Sequence, residues 1–462
     1  MKSILADQAL VGGQWAVDVR VDIGDDGRVA AVVTNAAADR CDGTACVEPH
    51  RVGCLLPAPA NAHSHAFQRA MAGLTEARGP DPRDSFWTWR QRMYHFLQRL
   101  NPDQVQDIAA FAQMEMLESG FAAVGEFHYL HHAPDGTPYD NVAEMAERVA
   151  AAADETGIGL TLLPVFYHQG GCDGRVLSGG QRRFGNELDA FLALRAASAT
   201  TLAHAPADSV LGVAPHSLRA VSTEALTALL TECKSGPIHI HIAEQTAEVE
   251  EVLAHRGARP MQWLFYAADV DARWCLVHAT HLDDTELRRL ARSDAVAGLC
   301  PITESSLGDG IFRAVEHQDA GGTIAVGSDS NIRVSLAEEL RTLEYSQRLR
   351  DRSRAALATP IASTGRALFD AVLQGGGRAC ARSVGIAKGC WADLLALDVT
   401  APDAVGRSGD LLLDSFVFAG GETLVRDVWS AGRHVVSAGR HRDRDRITAR
   451  YRTALGAILA AS

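Results

Sequence analysis

Along the middle of the chain, short uninterrupted apolar runs alternate with longer stretches in which apolar and polar residues share opposite faces. The runs cover 54–62, 121–129, 158–167, 209–215, 237–243, 273–280, 295–301 and 322–328. A short apolar run bounded by turn residues fits a strand buried on both faces, and an amphipathic stretch fits a helix packed on one side. Their alternation predicts a parallel sheet wrapped by helices, and eight units favour a (β/α)8 TIM barrel over an open sheet. Helix punctuation agrees: Asn101-Pro102 supplies a cap and a first-turn proline, and Gly120 a stop.

The two ends have a different texture. Short apolar runs separated by turns, as in Trp15-Ala-Val-Asp-Val, Val21-Asp-Ile and Val29-Ala-Ala-Val-Val, predict a small β meander near the amino terminus. The same texture returns in Ala392-Asp-Leu-Leu-Ala-Leu, Ser415-Phe-Val-Phe and Val425 to Val436. The expected organisation is therefore a small β-sandwich domain from 1–54 plus 384–445, a barrel over 55–383 and a closing helix over 446–462.

Composition narrows the partners. At 462 residues, 47% hydrophobic and 22% charged, the chain can bury one large core and a smaller one. A formal charge of -13 argues against nucleic acid, so an anionic substrate must be drawn in by local arginines. The 9 cysteines are scattered, with no Cys-x-x-Cys pair, which suits free thiols in a reducing compartment. The start MKSILADQALVGG carries Asp7 and no apolar core of signal length, and no apolar run is long enough to span a bilayer. A cytoplasmic protein with no membrane partner is expected.

Reactive groups in such barrels sit at the carboxyl ends of the strands. The first run ends in His63-Ser-His65, whose rings, two residues apart, point to one face and can grip one metal ion. The fifth carries His239 and His241, followed by Glu244. His241, nearer the mouth, is the expected third ligand, and His239, one layer deeper, a packed core histidine. The sixth ends at His278 and the eighth at Gly327-Ser-Asp329. An acid at the end of a buried strand is costly unless it meets a cation, which makes Asp329 the fourth ligand. Nitrogen and oxygen donors of this kind suit zinc or iron(II). The only lysines are Lys2, Lys234 and Lys388, none at a strand end, so a bridged metal pair is disfavoured and one divalent ion is expected.

As a set, His63-x-His65, His241 with Glu244, His278 and Gly327-Ser-Asp329 resemble the mononuclear deaminase branch of the amidohydrolase superfamily. Gly389-x-x-Ala-Asp-Leu394 extends the likeness to the split β domain. The resemblance implies three histidines and Asp329 as metal ligands, Glu244 as proton shuttle, His278 assisting at the substrate, and a homodimer.

A narrower resemblance is to the formimidoylglutamate deiminases of histidine degradation. It rests on His63-Ser-His-Ala-Phe-Gln68, Phe86-Trp-x-Trp-Arg90-x-x-Met-Tyr, Gly125-Glu-Phe-His-Tyr129-Leu-His-His, Pro215-His-Ser-Leu-Arg219, Gly298-Leu-Cys-Pro and Glu338-Glu-Leu-Arg. The chain departs from that family at Ser306, where the family carries Asn. A small acidic amidine with two carboxylates is then the expected substrate. Arginine forks suit carboxylates, so Arg90 and Arg219 are expected to hold them, with Gln68, Tyr129 and His216 contributing hydrogen bonds. Asp329 is expected to take the proton of the attacking water. Two other readings stand beside this one: deamination of a purine or other heterocycle, with the same metal site but no paired arginines, and a noncatalytic barrel.

Overall fold

The computed structural model describes residues 2–36, 49–77 and 86–460, the side chains of Phe86 and Trp87 excepted. The alternating pattern folds into two parallel sheets. One holds the strands Ala60–Ser64, Ala123–His128, Gly159–Phe166 and Val210–Leu211, with Ala214–Pro215 also paired to the third of these. The other holds Ile238–Ile242, Trp274–His278, Val296–Leu299 and Thr323–Val326. Single parallel bridges connect the sheets at both edges, Val213 to Ile238 and Ser217 to His241 on one side, Ser64 to Asp329 on the other. Helices follow the strands and cover their outer faces, so nearly every strand residue is buried whichever way it points.

A separate eight-stranded sheet interleaves the two ends of the chain in the order 440–441, 433–437, 425–430, 394–397, 50–57, 2–11, 14–23, 29–33. Its amino-terminal part is the expected meander. The hairpin Val11-Gly12-Gly13-Gln14 turns with φ of 55° and 78° at its two glycines, the geometry that matches strand twist in a two-residue loop. Ile4, Ala6, Val19, Val21, Val52, Leu55, Leu394 and Trp429 form its own core. Residues 37–48 of the expected small domain lie outside the described residues.

Three expectations shift. The run 54–62 serves two sheets: His50–Pro57 pairs with Lys2–Val11 and with Leu394–Leu397, and the parallel strand starts only at Ala60. The chain thus changes sheet between Pro57 and Ala60, beyond the expected division at 54/55, and an unbroken apolar run cannot display that handover. The run 209–215 is broken around Gly212, where a Cβ would meet the Pro237 carbonyl oxygen at 2.6 Å. Ser415-Phe-Val-Phe is no strand. Asp410–Ser415 is an α-helix continued by a π-helical turn over Phe416–Gly420, and Leu412, Leu413, Phe416 and Val417 are buried at helical spacing. The three apolar residues Phe416-Val417-Phe418 carry no period that would decide between strand and helix.

The helix Pro102–Glu118 begins as expected, with a reciprocal capping box between Asn101 and Gln104, and Gly120 follows its end with φ of 104°. The closing helix Arg444–Ala460 lies against it, Tyr451 stacking on Phe111 at 4.0 Å.

Candidate metal centre and active-site cavity

The strand ends bring four donor atoms to one point. His63 Nε2 lies 3.2 Å from His65 Nε2, 3.1 Å from His241 Nε2 and 3.3 Å from Asp329 Oδ1. His65 Nε2 is 3.2 Å from the same oxygen. Ligands held tetrahedrally at the usual ~2.0–2.1 Å from one ion stand about 3.3 Å apart. The spacing therefore fits a single ion.

The backs of the rings support that reading. His65 Nδ1 faces the Phe127 carbonyl at 3.0 Å and His241 Nδ1 the His216 carbonyl at 3.2 Å. With the proton on Nδ1 donated to a carbonyl, each Nε2 turns a lone pair to the common point. Burial pulls the His63 imidazole down to about 3 and His241 well below its ordinary value, so both are neutral. Burial opposes ionisation of Asp329, but the His63 and His65 rings against its carboxylate hold it well below the usual carboxylate range.

Local backbone geometry aims these groups. Asp329 N–H donates to His63 O and His65 N–H to Asp329 O, both at 2.9 Å, locking the eighth strand end to the first. A Cβ at Gly327 would sit 2.6 Å from His63 N and O, so only glycine allows this approach. Asn61, Ser328, Asn331 and Ser64 form a buried hydrogen-bonded chain behind the ligands. Ala243, His278, Ala279, Asp329 and Asn331 all take positive φ, between 45° and 66°. Such clustering of left-handed non-glycine residues marks a site whose side-chain aim is set at the expense of backbone comfort.

Glu244 and His278 lie beside the ligands, His278 Nε2 3.8 Å from Glu244 Oε1. The other ring nitrogen, Nδ1, is 3.2 Å from Glu304 Oε1. Burial works against the charged imidazole, but Glu244 and Glu304 outweigh it and raise His278 well above its ordinary value. Burial pushes Glu244 up to about 7, against the opposing pull of His278. Glu304 was not anticipated. It follows Cys300-Pro301, also receives the Cys300 N–H at 2.9 Å, and its buried acid beside a strand end was the available signal. Asp309 was missed too: burial, then Glu244, push it up to about 9, and Gln245 Nε2 donates to its carboxyl.

A cavity opens over these groups, lined among others by His65, His241, Glu244, His278 and Asp329. All five expected substrate residues, Gln68, Arg90, Tyr129, His216 and Arg219, line the same cavity. Gln68 Nε2 donates to Tyr129 OH at 2.7 Å. Trp89, Tyr94 and Tyr167 also line it, whereas the side chains of Phe86 and Trp87 lie outside the described residues. His239 is buried one layer below, its Nε2 2.8 Å from the Ala379 carbonyl, as a core histidine should be. His131 and His132 likewise pair with the Val165 and Gly185 carbonyls.

This donor set on parallel strand ends is that of a metal-dependent hydrolase. The model of the amidohydrolase family matches residues 54–435, and the chain belongs to that family. Among characterised relatives, it is 47% identical over 462 residues to formimidoylglutamate deiminase of Pseudomonas aeruginosa, covering 99% of this chain and 100% of that one. It is 26% identical over 427 residues to 5-methylthioadenosine/S-adenosylhomocysteine deaminase of Natronomonas pharaonis, covering 89% and 88%. The crystal structure of an amidohydrolase from Brucella melitensis superposes with a TM-score of 0.93 at 46% identity, covering 99% of this chain and 100% of that one.

Proposed function

We propose that this chain hydrolyses N-formimidoyl-L-glutamate to N-formyl-L-glutamate and ammonia, a step of histidine degradation in the cytoplasm. The carrying observation is the 47% identity, over the full length of both chains, to the Pseudomonas deiminase. The cavity agrees, because Arg90 and Arg219 line it together with the metal ligands His65, His241 and Asp329. A purine offers no carboxylate to two arginines, which disfavours the heterocycle reading.

The two parallel sheets are read as one (β/α)8 barrel that begins after the sheet change at Pro57 and runs to 383. The interleaved sheet is read as a small β domain from 1–57 plus 384–445, with the closing helix over 446–462, and the assembly as a homodimer. His63, His65, His241 and Asp329 would hold one divalent ion, with zinc the first choice and iron(II) the second. When bound, the ion supplies a water acidified toward a pKa of about 7.

The chain's own groups do the rest. Arg90 and Arg219, with Gln68, Tyr129 and His216, hold the two carboxylates and so place the formimino carbon over the ligands. Asp329 takes a proton from the attacking water as oxygen bonds to that carbon. His278, paired through Nδ1 with Glu304, stabilises the negative charge that develops on the attacking oxygen. Glu244 delivers one proton to the terminal nitrogen and Asp329 passes on the one it took; the carbon–nitrogen bond breaks, the remaining hydroxyl proton returns to Glu244, and ammonia leaves with the formyl amide behind.

The test is ammonia release from N-formimidoyl-L-glutamate beside guanine and adenosine, using protein purified without chelator. Turnover of the acidic amidine alone is expected. Turnover of a purine with none of the amidine would overturn the assignment.

A further inference from the structure

The wall of the cavity around Arg90 has a hydrogen-bond polarity that nothing above explains. Arg90 Nε donates to Tyr94 OH at 2.6 Å, and Arg90 Nη2 donates to Tyr167 OH at 3.3 Å. Tyr167 OH also accepts from Gln181 Nε2 at 3.1 Å. The Gln181 amide cannot be reversed without loss, because its Oε1 accepts the Ser178 N–H at 3.2 Å in a capping box. Gln181 must therefore present its NH2 group to the phenol.

A phenolic oxygen has two acceptor positions and a single proton. On Tyr167 both acceptor positions are taken by N–H donors, so the only capacity left is to donate. Tyr94, receiving the Arg90 Nε–H, is biased the same way. Both rings line the cavity, and Tyr167 is 3% exposed, so these protons have the cavity to point into rather than bulk water. A guanidinium never accepts. The wall formed by Arg90, Tyr94 and Tyr167 is thus all donors.

We propose that Tyr94 and Tyr167 are carboxylate-binding residues that complete, with Arg90, a donor-only receptor admitting an ionised carboxylate and rejecting the corresponding amide. An ionised carboxylate is acceptor-only and satisfies every group of such a wall, whereas a carboxamide turns its own NH2 toward donors and leaves buried hydrogen bonds unmade. The inference rests on the proposed activity and specifies how the acidic side chain of that substrate is chosen.

The experiment measures steady-state ammonia release by the metal-loaded wild type, Tyr167→Phe and Tyr94→Phe on N-formimidoyl-L-glutamate and on its side-chain amide, N-formimidoyl-L-glutamine. Loss of one buried donor to a charged acceptor should raise KM for the glutamate compound roughly 10- to 100-fold in Tyr167→Phe. Because the lost contact is remote from the reacting carbon, kcat should hold within about twofold. The preference for acid over amide should fall by the same factor as KM rises, a readout that a merely structural ring would not move. Metal content and melting temperature should match the wild type. A KM within about twofold of the wild type in both variants would overturn the receptor. If the wild type releases no ammonia, the activity is wrong, and glutarate then probes the receptor alone. Calorimetric titration of glutarate should show the same loss of affinity in Tyr167→Phe, and equal affinity would overturn the receptor independently of the reaction.

Discussion

The parallel strands carry a buried charge cluster at each end, and the two are built on opposite terms. At the amino-terminal end Arg382 lies between Asp208, at 2.9 Å, and Asp393, and Arg433 adds a second contact to Asp208 at 2.7 Å. Two cations meet two carboxylates there. Burial opposes the charge on Asp208, but Arg433 and Arg382 outweigh it and hold the acid below its ordinary value. At the carboxyl end Glu244 and Asp309 are instead pushed up, to about 7 and about 9, by burial with no arginine bonded to either carboxylate among the described residues. One end is satisfied within the chain and joins the parallel strands to the interleaved sheet. The other is left to be completed by an ion and a substrate, which is what a site that must bind something requires.

The comparison breaks most severely at the ligands. Replacing His241 or Asp329 by Ala should strip the ion and abolish turnover, read by a metal count beside the ammonia assay. Stoichiometric metal with full activity after either change would show that the four donor atoms do not form the centre. Glu244→Gln should keep the metal and the fold yet lower kcat by about 10² to 10⁴, the usual contribution of a positioned proton carrier. Loss of metal in that variant would mean that Glu244 supports a ligand rather than carrying a proton.

The opposite end should respond in stability and not in rate. Arg382→Met leaves Asp208 and Asp393 buried with one cation fewer, a change that typically costs about 3–5 kcal/mol. Urea unfolding should show this loss, while kcat/KM of the remaining folded enzyme stays at the wild-type value. A large drop in kcat/KM with unchanged stability would place this cluster in the catalytic machinery and erase the contrast.

These two ends were unequally legible in the sequence. The ligands announce themselves because His63 and His65 stand two apart at the end of an apolar run, and because Asp329 follows Gly-Ser where an unpaired acid would be too costly. Arg382, Asp208 and Asp393 gave no such signal: they lie 174 and 11 residues apart in the chain and meet only through the fold. Glu304 and Tyr167 were hidden for the same reason, since Glu304 matters by touching His278 and Tyr167 by receiving Arg90 and Gln181, all distant in the chain. The parallel strands alternating with helices were readable from the alternation. The sheet change after Pro57 and the helical turn at Phe416 were not, because a short apolar run records burial without recording which partner buries it.

The smallest expected effect separates the two ends by the sign of a pH dependence in the metal-free protein. Glu244 has its folded value raised from 4.5 to about 7 by burial. Its contribution to stability is then fully present below the unfolded value and is lost as pH rises through the folded one. Gln cannot ionise, so metal-free Glu244→Gln should gain in stability on the wild type as the pH is raised from 4.5 to 8. Asp208 has its folded value lowered, so its contribution is present above the ordinary carboxylate value and lost as pH falls. Asp208→Asn should therefore be less stable than the wild type at pH 8, with the deficit shrinking in acid. Urea titrations of chelator-stripped protein at the two pH values read both variants. If both move against the wild type in the same direction as the pH is raised, the carboxylates at the two ends are not held on opposite terms, and the contrast fails at its electrostatic root.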